Sequence, residues 1–148
     1  MHSCFDVAKY FLAQSSEDAG DLISNLKLQK LVYYAQGFSL ALHDEPLFAE
    51  SIEAWMHGPV VRELYLEYKT CGAAAIPAPA DFDPNIFSKK ELQLLSDVYS
   101  VYGQYSAWKL RELTHSEAPW KDNYSEGFVS QEIPLQEMKT FFRENLVN

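Results

Sequence analysis

The sequence reads LKLQKLVYYAQG over residues 26–37 and AWMHGPVVRELY over residues 54–65, and these two stretches decide the fold. In the first stretch, Leu28, Leu31 and Ala35 recur at helical spacing, which predicts an amphipathic helix. In the second stretch, an extended segment is followed by a glycine and a proline, and proline is favoured at the first position of a helix. We therefore expect a helix, a short extended piece and a second helix that share one apolar seam.

Apolar residues at helical spacing indicate further helices. The predicted helices are residues 4–14, a segment from a cap at Asn25 to about His43, residues 59 to about 69, residues 88–103, a shorter segment after Ser106, and a segment that Pro134 opens. Alternation over residues 52–56 predicts a short strand, which we expect to pair with Leu47 and Phe48. The sequence therefore predicts a mainly α fold, in which residues 1–148 form a single compact domain of about six helices with a small β-hairpin or short strand element.

Gly37 lies inside the predicted second helix, where a glycine costs about 1 kcal/mol relative to alanine. Such a glycine is typical of a position that another backbone crosses closely, so we expect a tight helix crossing there. The polar residues 15–21 are predicted to form a loop between the first two helices.

The composition indicates an ordered globular protein with an acidic surface. The chain is 47% hydrophobic and contains nine Tyr, nine Phe and three Trp, which is ample for a core. The net charge is -9, and the acidic residues are spread along the whole chain. Because a nucleic-acid binder uses a basic face to release phosphate counterions, this balance argues against direct binding of DNA or RNA. An acidic surface can steer a basic partner or keep the protein soluble.

The cysteines and the hydropathy pattern predict a cytoplasmic protein. Only Cys4 and Cys71 are present, which is too few for a disulfide framework, and we expect reduced thiols. No run approaches the ~20 apolar residues of a membrane span, and the N-terminus lacks the pattern of a signal peptide. We expect no membrane binding.

Residues that could carry chemistry are few. The four histidines are isolated in the sequence, so we expect no metal site and no cofactor. Cys4 begins a predicted helix, where the dipole can lower a thiol pKa, but a small buried side chain is the simpler interpretation. Glu112, His115 and Glu117 could form an acid/base group, which gives a hydrolase alternative; otherwise His115 helps to seat Trp120. We expect that the protein is not an enzyme.

Four motifs in a fixed order carry a family resemblance. They are KLQKL at residues 27–31, YYAQG at residues 33–37, WMHGPV at residues 55–60, and Thr114-His115 followed by Pro119-Trp120. In these motifs the chain resembles the SocA-like family of phage-associated antitoxins, the Panacea domain, over roughly residues 3–144. The resemblance implies a binding domain that neutralises a cognate protein toxin encoded nearby, by direct binding or by delivery to a protease. His57 departs from the family pattern, because many relatives carry an aromatic residue just before the Gly-Pro.

The side chains left off the apolar stripes predict a partner-binding surface. Tyr, Trp and Arg are enriched where interfaces concentrate binding energy. These side chains are Lys27, Lys30, Tyr34, Trp55, His57, Arg62 and Tyr65. The family resemblance adds Gly58, His115 and Trp120, and we expect all ten residues to form or support an exposed rim for the toxin. Simpler roles stay open for several of them. The lysines could be ordinary solvated residues, Trp55 could belong to the core, and the histidines could be structural.

A regulatory role is the second function class. A phage- or prophage-associated protein that acts on an operon or on a DNA-binding protein would show salt-dependent binding to DNA or to that protein. The sequence leaves open the identity of the toxin and the formation of a homo-oligomer.

Overall fold

The computed structural model describes residues 1–15, 22–127 and 130–147. Within them the fold is mainly α, which confirms the predicted fold class. The helices are α1 (Cys4–Gln14), α2 (Asn25–His43), α3 (Arg62–Tyr68), α4 (Lys89–Tyr102), α5 (Ala107–His115), α6 (Ala118–Lys121) and α7 (Leu135–Asn145). The strands are β1 (Ile52–Trp55), β2 (Gly58–Val61) and β3 (Gln131–Glu132). Of the loop predicted over residues 15–21, all but Ser15 lies outside the described residues.

Serine caps begin several of the helices. The Ser3 hydroxyl accepts from the Asp6 amide while the Asp6 carboxylate accepts from the Ser3 amide, and Ser88 and Glu91 form the same reciprocal box at α4. Ser24, not Asn25, caps α2, because its hydroxyl accepts from the Lys27 amide. The Asn25 side chain instead donates to the Tyr65 carbonyl over 3.2 Å, so it ties α2 to α3.

α2 is the central helix of the molecule. Fifteen of its nineteen residues are buried, because α1, α3, α4, α5, α7 and β2 all pack against it. Full burial of a side chain such as Leu28 or Leu31 contributes roughly 1.5–3 kcal/mol. The expectation of one apolar stripe with a solvated opposite face was therefore wrong for this helix.

The small sheet is antiparallel, with β1 between β2 and β3. β1 pairs with β2 through Ile52 and Val61 at one end and through Trp55 and Gly58 at the other. The predicted pairing of β1 with Leu47 and Phe48 was wrong. The Gln36 side chain instead bonds to the Leu47 amide over 2.7 Å and to the Phe48 carbonyl over 2.9 Å, so α2 satisfies the backbone of that segment.

Pro59 lies in β2 and does not open a helix, which corrects the predicted start of α3. Proline lacks an amide hydrogen and is tolerated in an edge strand, and β2 is an edge of this sheet. The helix begins three residues later, at Arg62, and ends at Tyr68.

Gly37 lies where α2 meets α7, and the predicted close approach is present. A Cβ added at Gly37 would overlap the ring of Phe142, which is fully buried. The group that requires glycine is thus an aromatic ring of α7, whereas a crossing backbone was expected. This contact fixes α7 on the face of α2 formed by Tyr33, Tyr34 and Phe38, whose rings all lie within 6 Å of the Phe142 ring.

Candidate functional site

The turn between β1 and β2 exposes two side chains. Trp55 pairs with Gly58, which leaves Met56 and His57 at the turn, and Met56 is 59% exposed. Gly58 has a φ of +115°, a conformation that residues with a Cβ rarely adopt. An added Cβ would also lie 2.9 Å from Thr114 Oγ1. Gly58 is therefore required by the turn and by the close packing around it.

A cavity of about 360 Å³ lies beside this turn. The Trp55 and Tyr65 rings, which both line it, are 5.0 Å apart at an interplanar angle of 66°. The Trp55 indole nitrogen donates to Glu53 Oε1 over 2.9 Å, which orients the ring. The other lining residues are Asn25, Leu26, Gln29, Met56, His57, Val60, Lys69, Gly72 and Ala73. Apolar walls with a few polar groups are typical of recesses that bind ligands or partner side chains.

Arg111 of α5 reaches the same turn. Its Nε donates to His57 Nδ1 over 3.0 Å, and its guanidinium carbon lies 4.4 Å from the centroid of the Trp108 ring. Such a cation–π contact contributes about 0.5–1 kcal/mol at an exposed site, and Trp108 is 57% exposed. We define the hairpin surface as the six residues that these contacts and the cavity connect, namely Trp55, Met56, His57, Tyr65, Trp108 and Arg111.

His115 and Trp120 hold β1 and its turn in place. Their rings stack with centroids 3.8 Å apart and an interplanar angle of 5°, and Trp120 Nε1 donates to the Trp55 carbonyl over 2.6 Å. His115 also bonds to the backbone of Met56. Burial, together with the positive charges of Arg111 and Lys30, lowers the pKa of His115. These contacts agree with the structural alternative for both residues.

The geometry of His115 gives no support to the hydrolase alternative. Its Nε2 is enclosed, and no described group forms a hydrogen bond with it. A general base must come within hydrogen-bond reach of the proton that it removes, and this nitrogen is closed to solvent.

Lys30 is fully buried, so the expectation that its side chain lies on an exposed rim was wrong. Its Nζ donates to the Pro59 carbonyl over 3.1 Å, and none of the ion pairs among the described residues includes it. Burial, with a smaller effect of the Arg111 charge, lowers the pKa of Lys30 to about 7. The side chain supports β2 from the interior.

Lys27 and Tyr34 are also buried, which corrects their expected exposure. Lys27 Nζ donates to the Gly103 carbonyl over 2.7 Å and so connects α2 to the end of α4. The Tyr34 ring stacks on Tyr102 with centroids 3.9 Å apart. Tyr34 is fully buried and Lys27 is only 7% exposed, so both side chains serve mainly in packing.

Glu117 is a buried carboxylate that the sequence suggested only as part of an acid/base group. It accepts from the Tyr34 hydroxyl over 2.8 Å and from the Tyr33 hydroxyl over 3.1 Å. Burial raises the pKa of Glu117 to about 7, although the two hydroxyl donors act in the opposite direction. The carboxylate joins α2 to the start of α6 and lies apart from solvent.

The structure thus divides the expected partner-binding residues. It brings Trp55, His57 and Tyr65 together around the cavity. Arg62 is exposed at the start of α3 but does not line that cavity. The buried members are Lys27, Lys30, Tyr34 and Gly58, while His115 and Trp120 are partly buried behind β1.

Trp108 and Arg111 are the surface residues that the sequence interpretation missed. Their spacing of three residues on a predicted helix places both on one face, so the pairing was readable in the sequence. The bond from Arg111 to His57 joins residues 54 positions apart and has no local signal.

The described residues give no support to a metal site, a reactive thiol or a membrane-spanning helix. No group of three or more His, Cys, Asp or Glu there could hold a metal ion. Burial raises the pKa of the Cys4 thiol to about 12, which agrees with a packed, unreactive side chain. None of the helices over the described ranges has both the length and the apolar character needed to cross a membrane.

One comparison with known proteins identifies a family. The family model described as "Antitoxin SocA-like, Panacea domain" matches residues 28–121. This match includes all six residues of the hairpin surface. No curated protein and no solved structure matches the chain.

Proposed function

Because the chain belongs to the family of SocA-like antitoxins with a Panacea domain, we propose that it neutralises a cognate protein toxin by docking it on the hairpin surface. An antitoxin-type role follows from the family, and the surface is our addition. Neutralisation by occlusion and by delivery to a protease both begin with this docking step. The proposal concerns binding and involves no chemical conversion by the chain.

The observation that carries this proposal is the combination of residue types exposed around one turn. Trp, Tyr, Met and Arg are enriched at the centres of protein interfaces, whereas Lys, Glu and Asp are depleted there. The hairpin surface contains two Trp, one Tyr, one Met and one Arg, in a chain with 21 acidic residues. The Trp108 and Met56 side chains are both more than half exposed, which leaves apolar area for a partner to cover.

Rescue of growth tests the proposal. The protein encoded by the neighbouring gene is expressed with and without the chain, and the wild-type chain is expected to restore growth and to copurify with that protein. Met56→Glu together with Trp108→Glu is expected to abolish rescue and to weaken binding at least ~100-fold, because two apolar contacts would be replaced by charges. Thermal unfolding is expected to change little, since both side chains are exposed.

The matched control is Leu135→Glu, which places the same charge at an exposed apolar residue of α7 outside the hairpin surface. This variant should retain rescue. Failure of the wild-type chain to rescue growth would reject the proposed function, whereas rescue by the double variant would reject only the surface.

A further inference from the structure

Arg111 is held in place yet keeps most of its donors uncommitted. An arginine has five N–H donors, and Nε uses its own for His57 Nδ1. The ion pairs among the described residues involve Lys9, Lys90, Lys139, Arg143 and His2, and none involves Arg111. Among the described residues, Arg111 therefore has no carboxylate partner, although the chain has a net charge of -9.

The contacts of Arg111 prepare it for a planar anion. The cation–π contact with Trp108 and the bond to His57 restrict the side chain before any partner arrives. A restricted side chain loses less conformational entropy on binding than a free one. The fork of an arginine matches a carboxylate in a two-point contact, which gives orientation as well as strength.

The cavity beside His57 is mainly apolar and has basic residues in its lining. The eleven described residues that line it include His57 and Lys69 but no Asp or Glu. Its apolar and aromatic lining residues include Leu26, Trp55, Met56, Val60 and Tyr65. A volume of about 360 Å³ lies at the low end of the range of ligand pockets, roughly 300–1,000 Å³, and suits one large apolar side chain.

We infer that the hairpin surface recognises a peptide segment of its partner in which an Asp or Glu side chain lies next to an aromatic or large aliphatic residue. The carboxylate pairs with Arg111, and the neighbouring apolar side chain enters the cavity. His57 connects the two subsites, because it lines the cavity and accepts the bond from Arg111. This inference rests on the proposed function, which makes that partner the toxin.

The first experiment determines which peptides the full chain selects. A library of random heptapeptides with blocked termini is panned against the purified wild-type chain. Enriched peptides are expected to contain Asp or Glu within two positions of Phe, Trp, Tyr, Leu, Ile or Met. Enrichment of basic peptides, of peptides without a carboxylate, or of no peptide at all would overturn the inference.

The second experiment tests the pairing with Arg111. For one enriched peptide, Arg111→Gln is expected to weaken binding at least ~10-fold, as does exchange of the peptide's Asp for Asn or Glu for Gln. The two changes together are expected to cause little further loss, because they remove the same contact. Additive losses would contradict the pairing. Thermal unfolding verifies that the Arg111→Gln chain is folded, and Arg111→Lys, which keeps the charge without the fork, is expected to bind with intermediate affinity.

A third experiment tests the cavity without changing Arg111. Ala73 is exposed and lines the cavity, so Ala73→Trp is expected to fill it and to weaken binding of the same peptide at least ~10-fold without unfolding the chain. Lys90→Gln removes a positive charge outside the cavity and serves as the control, with unchanged binding. Unchanged binding by the Ala73→Trp chain would exclude the cavity as the apolar subsite.

These results separate the two proposals. If the wild-type chain rescues growth but selects basic peptides, the docking function stands and the acidic recognition fails. If the chain selects acidic, apolar peptides but rescues no growth, the surface chemistry stands and the antitoxin function fails.

Discussion

Single polar residues of α2 bond to the backbone of distant elements. Gln29 accepts from the Val61 amide over 2.8 Å, Lys30 donates to Pro59, and Gln36 binds Leu47 and Phe48. A buried backbone group without a partner costs roughly 1–3 kcal/mol. Each of these side chains therefore stabilises a segment whose backbone has no neighbouring strand on the side that faces α2. The motif KLQKL thereby positions β2 and the turn.

Lys30 is expected to make the stability of the protein depend on pH above neutrality. Its pKa is about 7 in the folded chain and near its ordinary value of 10.5 in the unfolded chain. Between these values the unfolded chain binds the extra proton, so the free energy of unfolding should increase as the pH rises from about 7 to 10. The variant Lys30→Met should lose this increase, which urea unfolding of both chains at pH 7, 8.5 and 10 measures. An equal slope in both chains would contradict the burial of a titrating amine.

Glu117→Gln is the matched variant, because the pKa shift of Glu117 affects stability below neutral pH, whereas that of Lys30 affects it above neutral pH. The pKa of Glu117 is raised from 4.5 to about 7, so the folded chain holds the extra proton between these values. The stability that Glu117 contributes is present below pH 4.5 and is lost as the pH rises through 7. Glu117→Gln should remove this loss and leave the slope above pH 7 unchanged.

Individual residues also show where the sequence was sufficient to predict burial and where it was not. Periodicity identified Leu28, Leu31 and Ala35 as core residues, and all three are buried. It failed for Lys27, Lys30 and Tyr34, because α2 is surrounded on nearly all sides and polar side chains off the stripe are buried as well. Long-range bonds to Gly103, Pro59 and Glu117 offset the cost of that burial, and the sequence gives no local sign of them.

At the scale of elements, the α2–α7 contact depends on a glycine beneath an aromatic ring. Gly37→Ala is expected to destabilise the chain by about 1–3 kcal/mol, because a Cβ has no room under the Phe142 ring. Adding Phe142→Leu to that variant should cost less than the sum of the two separate changes, since the smaller side chain leaves space for the new methyl group. Urea unfolding of the four chains measures this coupling, and strictly additive free energies would disprove the contact.

The element boundaries were predictable where local chemistry decides them. The caps Ser3, Ser88 and Ser106, Gly103 at the end of α4 and Pro134 before α7 were readable in the sequence and occur as predicted, whereas the cap of α2 was not. The role of Pro59 was not predictable from the sequence, because proline is compatible both with a first helical turn and with an edge strand. The pairing of β1 with β2, rather than with Leu47 and Phe48, decided between them.

At the scale of the whole molecule, the segment that matches the family model is smaller than the packed unit. α1 and α7 lie outside residues 28–121, yet Phe11, Leu12, Met138 and Phe142 are almost fully buried against the rest. β3 also lies outside this segment and covers one side of β1.

A fragment of residues 28–121 is therefore expected to be unfolded. Loss of these buried side chains removes roughly 1.5–3 kcal/mol each, which together approaches the total stability of a typical domain, about 5–15 kcal/mol. Far-ultraviolet circular dichroism and urea titration compare this fragment with a chain of residues 3–147, which keeps both helices and should unfold cooperatively. A cooperative transition of the shorter fragment would show that the outer helices are dispensable.

The arrangement of the tryptophans has a practical consequence. The chain has three, and Trp55, Trp108 and Trp120 are connected around the β1–β2 turn through Arg111, His57 and the Trp55 carbonyl. Indole emission of the unlabelled chain therefore comes entirely from this neighbourhood. A partner that covers Trp108 should shift that emission to shorter wavelength, whereas a molecule that binds on the side of α1 should leave the spectrum unchanged.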